Sequence, residues 1–221
     1  MDLITQIRKP TIIQIGINKQ KLLQKRVFDI IFTCILLVIS SPVYISIMII
    51  IKLTNLSSPV FFSHWRIGLD GEYFKCIKFR TMVPDAEDIL EEWKTKQPDL
   101  YKEFIRGYKL EHDPRVVRFV GTILRKTSLD ELPQLLNVLK GEMSLVGPRP
   151  IVHGEKEKYG VYYDSLVSVR PGITGLWQVS GRSDVSYEER IKMDIEYVHN
   201  ISLLKDIKII LRTMFIVLKK T

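Results

Sequence analysis

The chain of 221 residues is 46% hydrophobic and 26% charged, which suits one ordinary domain plus a membrane element and excludes a disordered chain. A formal net charge of +8 admits nucleic acid, anionic lipid or a phosphorylated small substrate as partner, and composition does not choose among them. The two cysteines, Cys34 and Cys76, give neither a disulfide framework nor zinc spacing, so a reducing, cytoplasmic setting is the default.

A basic segment, residues 1–24, leads into the first element. From Val27 to Ile51 the sequence is apolar, with Asp29 the only charge. As a straight helix it would reach about 37 Å, more than the roughly 30 Å of a hydrocarbon core. Pro42 lies at the midpoint, where it removes a backbone donor and favours a kink. Basic residues flank both ends: Lys19, Lys21, Lys25 and Arg26 before, Lys52 and Arg66 after. Positive flanks prefer the cytoplasmic side. A membrane helix over 25–55 that dips in, breaks at Ser41-Pro42 and returns satisfies both facts. Lys25 and Arg26 are then expected at the lipid interface, with Asp29 within reach of either.

Residues 56–221 read as a cytoplasmic catalytic domain. Two β-prone runs around Gly68-Leu69-Asp70-Gly71 predict a hairpin. Residues 85–108 predict a pair of acidic surface helices broken at Pro98. Between Ser128 and Leu139, leucines recur at helical spacing and Gly141 supplies a stop. Val146 to Pro150 forms a rigid loop, Pro171-Gly172 with Gly175 another, and Gly181 to Asp184 a third. Tyr187 to Val198 is a charged helix. Leu203 to Lys220 is a basic amphipathic helix, suited either to the lipid interface or to an ordinary core-facing position. The expected class is α/β, a helix-dominated α+β fold, with a re-entrant membrane helix hairpin, a small antiparallel β element and interfacial amphipathic helices. The four histidines (His64, His112, His153 and His199) form no metal-binding pair, and surface or packing roles are expected for them.

Chemistry concentrates at Leu124 to Gln134. Ser128 and Glu131 fit a capping box, which alone would mean only a well-started helix. Asp130 beside Glu131, just after Arg125 and Lys126, asks for more. A carboxylate in the first helical turn is favoured as an anion, and the same features bind phosphate. Adjacent helical residues point about 100° apart, so one carboxylate would be the nucleophile and the other a base or metal ligand.

The run KTSLDELPQLLNVLKGEMSLVGPRP closely resembles the hallmark of the bacterial sugar transferases, the monotopic polyprenol-phosphate phosphoglycosyl transferases. Lys25-Arg26 through Asp29, Ser41-Pro42, Pro59 to Phe62, Arg66 to Gly68, Lys78 to Met82, Asp113 to Arg115 and Pro171 to Arg182 follow in family order. The resemblance covers residues 21–221. It implies attack by Asp130 on the sugar-linked phosphorus of a UDP-sugar and release of UMP. Transfer of hexose-1-phosphate to undecaprenyl (polyprenol) phosphate would follow, with galactose favoured over glucose. Glu131 would act as base or help Asp130 hold Mg²⁺. Arg125 and Arg149 match phosphate-contacting positions, and guanidinium forks suit phosphate oxygens. Lys78 and Arg80 are weaker phosphate-binding candidates, for which a surface ion pair is equally good. Asp113 and Arg115 read as a structural pair. Between Arg115 and Arg125 the chain is one residue longer than the family pattern. Larger relatives carry additional N-terminal transmembrane helices, so a stand-alone catalytic form at the cytoplasmic face of the inner membrane is expected. A homodimer is left open. The rival readings are a non-catalytic membrane scaffold and, resting on charge alone, a nucleic-acid binder; the clustering of basic residues beside carboxylates and membrane flanks argues against nucleic acid.

Overall fold

The computed structural model describes residues 19–107, 110, 112–181 and 185–220. The first 18 residues and Arg182 to Asp184 of the third expected loop lie outside this range. Helix α1 runs from Lys19 to Thr54 and is long and apolar enough to cross a membrane. A core helix of that composition would be covered, whereas only 11% of its most apolar stretch is buried. Val38 and Ile39 are 74% and 69% exposed.

Helical backbone continues through the expected break at Ser41-Pro42. Pro42 cannot donate to the carbonyl of Val38, four residues back, and a bare carbonyl is costly where water is absent. The Ser41 hydroxyl donates to that same carbonyl at 2.8 Å, and Ser46 Oγ donates to Pro42 O at 2.8 Å. The serines thus satisfy carbonyls around the proline from within the helix.

Strands β1 (Phe61–Ile67) and β2 (Tyr73–Phe79) form the antiparallel hairpin, in a register that places Phe62 opposite Lys78 and His64 opposite Cys76. The turn uses a 3₁₀ segment, Leu69–Gly71, with Asp70 at φ 55°. Helices α2 (Ala86–Lys96) and α3 (Pro98–Gly107) are the acidic pair split at Pro98. Asp113 and Arg115 form the expected structural pair, at 2.7 Å and 2.9 Å, with the guanidinium 4.7 Å from the Trp93 ring centre. Between Arg115 and Arg125 Phe119 takes φ 62° and ψ −75°, and Val120 N–H donates to Arg118 O, a γ-turn that leads into α4 (Val120–Thr127).

After α4 a 3₁₀ turn, Leu129–Glu131, precedes α5 (Gln134–Lys140), which stops at Gly141 with φ 86°. Strands β3 (Ser144–Val146) and β4 (Gly172–Thr174) pair in parallel, which the sequence reading did not anticipate. The loop expected at Pro171-Gly172 with Gly175 is thus largely strand; a Cβ on Gly172 would fall 2.0 Å from Gly147 N, so β4 meets the segment after β3 backbone to backbone. Short helices α6 (Lys156–Tyr159), α7 (Tyr163–Val167) and α8 (Leu176–Ser180) lead to α9 (Tyr187–His199) and α10 (Leu203–Lys220).

Both halves of α1 pack on the remainder of the chain. Leu22, Phe28, Phe32 and Leu36 lie against the core of Leu135, Val138, Val146 and Tyr197. Ile47 and Ile51 lie with Phe79 and Leu124. The basic pair expected at the lipid interface turns inward. Lys25 is 7% exposed and its ammonium donates to Asp206 of α10 at 2.7 Å, with Asp29 at 3.8 Å. Asp206 also accepts from Tyr197 Oη at 2.7 Å, and Asp29 from Ser144 Oγ at 2.7 Å. Arg26 donates to the carbonyls of Val138 and Leu139 in the last turn of α5, where a cation also suits the helix dipole. Helix α10 has one side turned to the core and one exposed. Asp206 and Ile209 face the core, while Leu204, Ile207, Leu211, Met214 and Phe215 form an exposed apolar stripe.

Removing one partner of a buried ion pair strands the other. Asp206→Ala is expected to lower unfolding free energy by about 3–5 kcal/mol. A joint Lys25→Met, Asp206→Leu replacement should cost less than the single change, as read by denaturant titration in detergent.

Candidate active site

The site is built where β2 meets the turn between α4 and α5. Asn137, fully buried, holds the two together: its side-chain amide donates to Lys75 O at 2.8 Å and to Glu142 at 2.6 Å, and its Oδ1 accepts from Ile77 N at 3.0 Å. That clamp brings Lys78, the residue after Ile77, over Asp130 and Glu131. The Lys78 ammonium lies 2.6 Å from Glu131 Oε1 and 3.9 Å from Asp130 Oδ2. Lys78 is therefore the central cation of the carboxylate pair and not a surface ion-pairing residue.

The capping box does not form. Ser128 sits in the left-handed region at φ 60°, ending α4, and its side chain caps nothing. The competing partner is Lys78, which takes the Glu131 carboxylate that a capping box would need. The two carboxyls differ in state. Burial pushes Asp130 up to about 6; Lys78 and Arg125 pull it down, and Glu131 beside it adds to the rise. Helical position alone had suggested a carboxyl favoured as an anion; at 8% exposure the loss of water outweighs that effect. For Glu131 burial also raises the pKa, but Lys78, Arg149 and Arg66 together hold it below the ordinary carboxylate range. Near neutral pH the pair therefore comprises a poorly hydrated carboxylate next to a firmly ionised one.

Arg125 and Arg149 act on different members of this pair. Arg125 donates through Nε to Thr81 Oγ1 at 2.9 Å and bears on Asp130. Arg149 bears on Glu131, with its guanidinium 6.0 Å from the Trp177 ring centre. Arg80 is not brought to the pair. It is buried at the end of β2, its N–H bonded to Val60 O, with Nε and Nη1 lacking partners among the described residues. Among the described residues no three carboxylate, histidine or cysteine side chains converge as a metal cluster.

The sequence reading missed several contributors. His64 and Arg66 follow Phe62 at every second residue along β1, on the sheet face that also carries Lys78 of β2, and both lie within electrostatic reach of Glu131. Period-two spacing and the hairpin register were the available signals. Thr81 steadies Arg125, and a lone Asn in the apolar run of α5 hinted at the clamp. Asp194 of α9 is 1% exposed, accepts from Tyr159 Oη at 3.0 Å and accepts from the Arg149 backbone, fixing the loop that carries Arg149.

Burial pushes Asp194 up to about 7, against the pull of Tyr159 and Arg149. An acid whose folded pKa is raised binds more protons folded than unfolded, so stability falls as pH rises from about 4 to about 7. Asp194→Asn is expected to flatten that part of the melting-temperature profile; an unchanged slope would mean that Asp194 does not titrate there.

Residues 20–220 match the bacterial sugar transferase family model. The chain is 48% identical over 190 residues to an exopolysaccharide production protein of Rhizobium meliloti, covering 86% of this chain and 83% of that protein. It is 46% identical over 196 residues to an undecaprenyl-phosphate galactose phosphotransferase of Salmonella typhimurium, covering 89% of this chain and 40% of that longer protein. A UDP-glucose:undecaprenyl-phosphate glucose-1-phosphate transferase of Escherichia coli is 38% identical over 208 residues, 90% of this chain and 40% of that protein. A buried carboxylate pair, the guanidinium groups around it and an exposed apolar helix fastened to the same domain agree with these matches, and the chain belongs to the bacterial sugar transferase family.

Proposed function

We propose that this protein transfers a hexose-1-phosphate from a UDP-sugar to undecaprenyl (polyprenol) phosphate, through a covalent intermediate on Asp130. The observation that carries the reading is the asymmetric pair: a desolvated Asp130 flanked by Lys78 and Arg125, beside a Glu131 kept ionised by Lys78, Arg149 and Arg66. A carboxylate is a weak nucleophile in water, and removing its hydration raises its reactivity. Asp130 attacks the sugar-linked phosphorus, the bond to the UMP oxygen breaks, and UMP leaves with the electron pair. An oxygen of the polyprenol phosphate then attacks the same phosphorus, and Asp130 departs as a carboxylate. Arg125 and Arg149, on opposite members of the pair, suit phosphate oxygens entering and leaving.

Asp130 and Glu131 would hold Mg²⁺. Two adjacent carboxylates, joined by no third carboxylate, histidine or cysteine among the described residues, fit an ion that takes its remaining ligands from water and substrate phosphate. When bound, the ion offsets diphosphate charge and polarises the leaving group. Galactose is favoured over glucose because relatives named for galactose transfer reach 46% identity and a relative named for glucose transfer 38%. The rival reading as a non-catalytic scaffold is disfavoured by the intact set of Asp130, Glu131, Lys78, Arg125 and Arg149.

The membrane segment serves this chemistry as a re-entrant helix. Two observations support it: both halves of α1 pack on the same domain, and its exposed middle carries Val38, Ile39 and Pro42. The stripe on α10 then lies in the lipid interface, on the cytoplasmic side where soluble UDP-sugar is present. Cysteines introduced at residues 10 and 90 are expected to be labelled from the same side of the membrane; labelling from opposite sides would require a full span. UMP release is expected with UDP-galactose and polyprenol phosphate together. Asp130→Asn should lower turnover roughly 10³-fold or more and abolish a trapped phosphosugar adduct. A near-normal rate in that variant would remove Asp130 from the nucleophile role.

A further inference from the structure

The geometry points to Arg66 as an additional substrate-phosphate ligand, positioned by His64 acting as a neutral hydrogen-bond acceptor; this rests on the transferase reading above. Arg66 Nε–H donates to His64 Nε2, and Arg66 Nη1 donates to Pro150 O at 3.0 Å, with Glu155 Oε2 at 3.6 Å. One edge of the guanidinium is thereby fixed, and no bond to Nη2 is present among the described residues. The Arg149 guanidinium is close enough to oppose the charge of Arg66, and both bear on Glu131. Two guanidiniums held together beside a single shared carboxylate match an anion with several oxygens, as a phosphate has.

The acceptor that holds Arg66 decides how much of its charge the substrate meets. A carboxylate at position 64 would pair with the guanidinium and compete with phosphate. A neutral imidazole fixes the same N–H and leaves the charge in place. Several features keep His64 neutral. Its Nε2 lone pair is engaged by Arg66, its ring stacks on Phe62 at 5.7 Å, and a proton there would face Arg66, Lys78 and Arg149. The proton of the ring is consequently on Nδ1, a buried atom with no hydrogen-bond partner among the described residues. Burial and these cations hold the His64 pKa down to about 3.

The test is steady-state kinetics of UMP release by the full chain in detergent, with KM measured separately for UDP-galactose and for polyprenol phosphate. His64→Leu, which fills the space without an acceptor, is expected to raise one KM about tenfold, the scale of one charge-assisted hydrogen bond, and to change kcat much less. His64→Gln retains an acceptor and should restore that KM. Arg66→Lys keeps the charge but loses the fork, and should raise the same KM about tenfold, which tests the bond even if the leucine variant does not fold. The substrate whose KM rises identifies the phosphate bound. Unchanged KM values in His64→Leu or Arg66→Lys, or equal losses in His64→Gln and His64→Leu, would overturn the assignment. So would a fall in kcat at constant KM. A wild-type chain that releases no UMP from any UDP-sugar would instead defeat the transferase reading itself.

Discussion

The structure depends on the burial of Lys25, a cation near the start of a helix that is mostly apolar and whose middle is exposed. An ammonium taken from water needs compensation in full, and Asp206, Asp29 and Tyr197 supply it from α1, α9 and α10. A hydrophobic contact could slide, but an ion pair with one buried partner on each side has one satisfactory arrangement. Arg26 adds direction by bonding the last carbonyls of α5. The lipid-facing helix is thus joined to the helix that follows Asp130 and Glu131. The carboxylate pair is held at a fixed place relative to the long apolar helix, as the proposed reaction between a soluble donor and a lipid acceptor demands.

The carboxylate pair shows how burial and neighbouring charge divide the work between two similar residues. Asp130 and Glu131 are adjacent in sequence and share Lys78, yet their proton affinities move in opposite directions. At Asp130 the cost of desolvation outweighs the pull of Lys78 and Arg125. Glu131 faces more cations, and their sum wins. Lys78 can serve both because Asn137 fixes β2 against α5 through backbone groups on either side of Cys76. Asp194, further out, performs the equivalent task for the loop that carries Arg149.

Much of the fold was legible along the chain. The hairpin, the helix pair split at Pro98, the stop at Gly141 and the last two helices each follow from local signals of period, turn chemistry or breakers. Asp130, Glu131 and Arg125 were marked as candidates by their clustering in one short segment, and Arg149 by the family resemblance. Pairings between distant segments were not legible. Ser128 and Glu131 match a capping box in spacing, but Lys78, more than fifty residues earlier, takes the glutamate. Arg80 has the same local credentials as Lys78, yet only Lys78 reaches the carboxylates.

The sequence by itself determined that this chain has a long apolar helix with basic flanks, and that a carboxylate pair with phosphate-suited arginines lies behind it. Those properties depend on residue type and near-neighbour spacing, which the linear order carries. Only the tertiary structure decided that Lys25 and Arg26 fasten the domain to α1 rather than facing lipid. It also decided that Lys78 bridges the carboxylates, that Asp130 is raised while Glu131 is lowered, and that His64 and Arg66 enter the site. The reason is physical: desolvation and Coulomb terms depend on what surrounds a group in space, and those surroundings come from residues far apart in the chain.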